Sequence, residues 1–138
     1  MKREILFRGK SINTNKWVLG YFNGTVNNGK VACIGNPEEN GTIGWHVIPE
    51  TVGQYTGLKD KNGKEIFEGD IVTDGKFKWI IEWHDQQAMW WMSPVIDSKV
   101  VGDEYLIMTL NNKKLGNGYY SRKDLEIIGN IYDNPELL

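Results

Sequence analysis

Five Asn-Gly pairs punctuate this 138-residue chain: Asn23-Gly24, Asn28-Gly29, Asn40-Gly41, Asn62-Gly63 and Asn117-Gly118. Both residue types tolerate the positive φ angles of tight type I′ turns, so each pair marks a place where one strand reverses into the next. The stretches between them are short and rich in Val, Ile, Trp, Tyr and Phe, which suit a pleated, half-buried surface. No window of a dozen residues keeps a helical apolar period. The expected fold is therefore mainly β, with only short helical turns. An N-terminal β-hairpin region over residues 1–57 precedes a small antiparallel, SH3-like β-barrel over residues 58–138.

Alternation places the individual strands. Ile5 and Phe7 alternate with Glu4, Leu6 and Arg8, and after a turn at Ser11–Asn15 the segment Lys16–Phe22 returns as a partner. Thr25-Val26 and Lys30-Val31-Ala32 flank Asn27-Asn28-Gly29 as a second hairpin. The polar stretch from Gly35 to Gly44 reads as a loop. Val52–Tyr55 and Glu65–Phe67 are short strands on either side of a polar turn. In the next strand Phe77, Trp79, Ile81 and Trp83 share one face, and Lys76, Lys78, Ile80 and Glu82 the other, the period of two of a half-buried strand. His84–Gln87 turn the chain, and Ala88–Met92 run back. Leu106–Leu110 reads as a strand, Ser121–Asp124 as a helix cap, and Leu125–Tyr132 as the last strand. Pro135 opens a helical stub.

Charge and cysteine content narrow the function classes. With 16 Lys+Arg against 18 Asp+Glu, the chain lacks the basic excess of a protein that coats nucleic acid. Its single cysteine, Cys33, excludes an internal disulfide or a Cys-based zinc site within one chain, and in Val31–Ile34 it reads as a buried thiol. A free thiol fits a reducing compartment. No apolar run approaches a membrane span, and the N-terminus lacks a signal-peptide pattern. A cytoplasmic protein is expected.

No residue set nominates a reaction. His46 and His84 are the two histidines. Glu82, His84 and Asp85 could supply half of a metal site, but an exposed strand end has the same pattern. Asp60, Asn62 and Gly63 begin like a calcium loop, which fails at Lys64 and Ile71. Ser11, Ser93, Ser98 and Ser121 lie in no nucleophile elbow. A non-enzyme without a cofactor is the expectation.

Aromatic residues are the excess, with 6 Trp, 6 Tyr and 4 Phe. Trp90 and Trp91 are adjacent, so on a strand they point to opposite faces. Met89 accompanies Trp91, and Met92 accompanies Trp90. Both faces are thus apolar, and one needs a cover. Trp90, Trp91, Met89 and Met92 form a candidate interface, whose cover is the N-terminal half of the chain, a second copy in a homo-oligomer, or another ligand. The alternative is a nucleic-acid accessory protein, with exposed aromatics stacking bases and Lys76 and Lys78 meeting phosphates.

Three blocks also carry a family resemblance. The run Gln54-Tyr55-Thr56-Gly57-Leu58-Lys59-Asp60, continuing through Asn62-Gly63-Lys64-Glu65-Ile66-Phe67-Glu68-Gly69-Asp70-Ile71-Val72, resembles the signature of the YopX family of phage and prophage proteins. Phe7-Arg8-Gly9-Lys10 with Trp17-Val18-Leu19-Gly20-Tyr21 resembles its opening. Ile128-Gly129-Asn130-Ile131-Tyr132-Asp133-Asn134-Pro135-Glu136-Leu137-Leu138 resembles its ending, which makes a phage or host protein the expected partner at Trp90 and Trp91 besides a second copy. The resemblance implies a mainly β fold and a bacterial host cell, and it carries over no catalytic residue. The motif itself consists of turn and core residues, which specify a fold rather than a reaction. The combined expectation is a phage-encoded, non-enzymatic binding or assembly module that self-associates through apolar β surface.

Overall fold

The computed structural model describes residues 4–35, 44–96, 99–100, 114–115, 118–119 and 125–138. The chain divides into two compact units, residues 1–57 and 58–138.

In the first unit β1 (Phe7–Lys10) pairs with β2 (Trp17–Val26), from Phe7 opposite Gly20 to Lys10 opposite Trp17. Ser11, almost fully buried, makes the reversal. Its hydroxyl accepts from the Asn13 and Thr14 N–H groups, and its own N–H donates to the Lys16 carbonyl. The next hairpin joins β2 to β3 (Val31–Gly35) through Asn28 and Gly29, at φ +55° and +81°. Those are the φ signs of a type I′ turn, closed by the Lys30 N–H on the Asn27 carbonyl. β4 (Trp45–Val47) lies against β3. A single 3₁₀ turn (Pro49–Thr51) leads to β5 (Gly53–Lys59), which returns antiparallel to β1. Ala32, Ile34 and Val47 are the buried centre, with Phe7, Val18 and Val52 packed on them. Cys33 is a free, buried thiol.

The second unit contains β6 (Glu65–Phe67), β7 (Asp70–Thr73), β8 (Lys78–His84), β9 (Met89–Ile96), β10 (Lys99–Val100) and β13 (Glu126–Asn130). A two-residue ladder joins β11 (Lys114–Leu115) to β12 (Gly118–Tyr119). The main sheet runs β10-β9-β8-β7-β13. Its core is Ile66, Val72, Trp79, Ile81, Trp90, Met92 and Leu125.

The molecule is mainly β with only short 3₁₀ turns, but the SH3-like barrel does not form: among the described residues the sheets are open. Closure needs the two end strands to pair, and here β10 pairs with β9 while β13 pairs with β7. The strict alternation of β8 also gives way. Ile80, on the face read as polar, is buried beside Ile71 and Ser93, the residues opposite it on β7 and β9. Phe77 and Trp83, read as core, lie at the ends of the covered stretch and stay 47% and 41% exposed. The loop read at Gly35–Gly44, the strand read at Leu106–Leu110 and the cap read at Ser121–Asp124 lie largely or wholly outside the described residues.

Buried polar side chains fix the turns of the second unit. Asp60 Oδ1 accepts from the Asn62 and Lys64 N–H groups, and Oδ2 from the Ile127 N–H on β13. Asp70 Oδ2 accepts from the Phe67 N–H at 2.8 Å. Asn130 Oδ1 accepts from the Tyr132 and Asp133 N–H groups, closing the turn after β13. Among the described residues no helix is long and apolar enough to cross a membrane.

Candidate functional site

The tip of the β8–β9 hairpin gathers aromatic and polar side chains at one place. Its register sets Glu82 opposite Trp91, Trp83 opposite Trp90 and His84 opposite Met89, with Asp85–Ala88 as the loop. Ala88 takes φ +51°, the left-handed step that returns the chain into β9. Residues directly opposite share a face, so the two tryptophans of β9 belong to different surroundings.

On the inner face Trp83 stands edge-on to Trp90, with ring centroids 5.1 Å apart and planes at 72°. Trp90 is buried and Trp83 is not. On the outer face the His84 imidazole stacks on Trp91, with centroids 3.9 Å apart and planes at 17°. The Ser93 hydroxyl donates to Glu82 Oε2 at 2.5 Å, two residues further along the same face. Trp83, His84, Asp85, Gln86, Gln87 and Trp91 line an open cleft of about 450 Å³. His84 Nδ1 and Trp91 Nε1 on this face, and Trp90 Nε1 on the inner face, are buried atoms without a hydrogen-bond partner. Such atoms cost stability, on the order of 1–3 kcal/mol each.

The four residues read from the sequence as an apolar interface separate. Trp90 and Met92, 8% and 2% exposed, are core residues of their own unit. Met89 and Trp91 occupy the outer face, half-buried. Of the lysines read as a nucleic-acid contact, exposed Lys76 holds its ammonium 5.0 Å over the Phe77 ring, and the Lys78 ammonium donates to the Leu137 carbonyl. Neither lines the cleft. Glu82, His84 and Asp85 do come to one end of the hairpin. Among the described residues, however, no three His, Cys, Asp or Glu side chains converge as metal ligands.

Trp83, Gln86 and Gln87 escaped the sequence reading. Trp83 kept the alternation of core residues, and the glutamines were indistinguishable from any polar turn. The available signal was positional, since Trp83 is the next-to-last residue of β8 and the cover of a sheet thins toward its end.

These features define a small antiparallel β protein that presents an aromatic cleft at a hairpin tip. The chain belongs to the YopX protein family, whose pattern matches residues 6–138. No curated protein matches it.

Proposed function

We propose that this chain is a binding module, not an enzyme, and that it takes its ligand at the β8–β9 hairpin tip. The observation that carries this reading is the tip cleft itself, an exposed Trp83 and a stacked His84–Trp91 pair beside three polar turn residues. Concave sites with aromatic walls and a few placed polar groups are the usual form of a ligand site. The well-placed carboxylates support a non-catalytic reading, because Asp60 and Asp70 hold backbone N–H groups and Glu82 accepts from Ser93.

The test is a fragment screen of the full chain followed by amide and indole NMR shifts. Hits should perturb the Trp83 indole and the Gln86 and Gln87 side-chain amides together. Hits that all map elsewhere overturn the reading.

Self-association is the second reading, favoured by the apolar outer pair Met89 and Trp91 and the exposed ring of Trp83. It predicts a light-scattering mass above that of one chain, falling to one chain in Trp83→Glu with the fold retained. A wild type that stays a single chain at high concentration removes it. The same column run with an oligonucleotide at low salt tests the nucleic-acid alternative, in which Lys76→Ala lowers co-elution.

A further inference from the structure

We infer that the hairpin-tip cleft is a site for a neutral saccharide, an inference that rests on reading this tip as the binding surface. The cleft volume of about 450 Å³ falls among those of small-molecule sites. Its lining then sorts ligands by chemistry. None of the six lining residues is Lys or Arg, and Asp85 adds a negative charge. Phosphate, sulfate and carboxylate ligands therefore find no fixed cation there. A purely apolar ligand would strip water from Asp85, Gln86 and Gln87 and return no hydrogen bond.

A sugar matches both halves of the lining. Its C–H face lies flat on an aromatic ring, and its hydroxyls each donate and accept. The two glutamine amides offer donors and acceptors side by side, and Asp85 offers acceptors. Trp83 is suited to be the platform. Its ring is held edge-on by buried Trp90, so the exposed surface is fixed before a ligand arrives and little freedom is lost on binding.

The experiment is a glycan array probed with the full chain, followed by fluorescence titration of the best neutral glycan as a free oligosaccharide. Array and titration together separate a preference for surface-bound chains from binding of the free sugar. The expected result is saturable binding that changes little between low and high salt, since no charge pair is formed. Trp83→Ala should weaken it by about tenfold or more, and Gln87→Ala, a surface change that leaves the fold intact, by several-fold. Absence of any neutral glycan ligand overturns the inference, as does binding indifferent to both substitutions. Saturation by tetramethylammonium in place of sugars also overturns it, since the tip is then a cation cage. Fragments that map to the tip without any glycan binding sink the saccharide assignment alone, whereas fragments that map elsewhere sink the binding-site reading with it.

Discussion

The His84 imidazole lies almost parallel to the Trp91 indole, 3.9 Å between centroids, while its Nδ1 is enclosed without a hydrogen-bond partner. Stacking and desolvation act in opposite directions here. An aromatic contact contributes about 0.5–1.5 kcal/mol beyond burial, and an unpaired buried polar atom costs a similar amount or more. His84→Phe keeps the stack and removes the orphan nitrogen, so it should raise stability by about 0.5–1 kcal/mol. His84→Ala also removes the orphan nitrogen but loses the stack with it, so it should be about 1 kcal/mol less stable than His84→Phe. Urea unfolding of the two variants checks both signs, and a His84→Phe variant less stable than the wild type would mean that Nδ1 finds a partner in solution.

Trp83 and Trp90 face each other across the hairpin but do different work. Trp90 belongs to the core with Trp79, Ile81 and Met92, and Trp90→Ala should cost about 3–5 kcal/mol. Trp83, 41% exposed, should cost only about 1 kcal/mol as Trp83→Ala, with ligand binding lost. Thermal unfolding of the pair separates the structural tryptophan from the one proposed to meet the ligand. Equal losses would place Trp83 in the core after all.

The same contrast explains what was legible in the sequence. Asn28-Gly29 announced its hairpin because the turn's φ angles demand those residue types, whereas Asn23-Gly24, read the same way, lies inside β2 where its register with β3 shifts; Trp79 and Ile81 announced a core face through their period of two. Period alone does not say where along a strand the cover stops, so Trp83 and Phe77 read as core and Ile80 as surface. The adjacency of Trp90 and Trp91 correctly required two different surroundings, but it could not say which face was the protein's own interior. The cleft depends on Gln86, Gln87 and Asp85 meeting Trp83 and Trp91 around a hairpin tip. That meeting is set by register, which no single residue type encodes.

Asp60 ties the turn before β6 to β13 and makes the fold sensitive to acid. Burial pushes its pKa up, but the Ile127, Lys64 and Asn62 N–H groups and the Lys64 charge outweigh that and leave the carboxyl below its usual 3.8. A carboxyl with a lowered folded-state pKa contributes stability that is present above its unfolded value and lost as pH falls through the folded one. The wild type should therefore lose this contribution below about pH 4. Asp60→Asn should cost about 2–3 kcal/mol at neutral pH, because its NH₂ group meets N–H donors, and should flatten the acid limb. Chemical denaturation from pH 3 to 7 gives both readouts, and parallel pH profiles for the two proteins would contradict the assignment.

Gly129 is where β13 passes closest to the turn that follows it. The register with β7 shifts between Ile127 and Gly129, and Asn134 Oδ1 reaches back to accept from the Asn130 N–H at 3.3 Å. A Cβ on residue 129 would stand only 2.7 Å from Asn134 Cγ and 3.0 Å from its Cβ, closer than packed carbons come. Gly129→Ala should thus displace Asn134, release the Asn130 N–H and cost about 2 kcal/mol. Asn134→Ala releases the same N–H without the clash and should cost about 1 kcal/mol. Because both substitutions remove one bond, the double variant should lose less than the sum of the two. Hydrogen exchange at the Asn130 amide reports the shared loss directly: it should quicken in each single variant and quicken little further in the double.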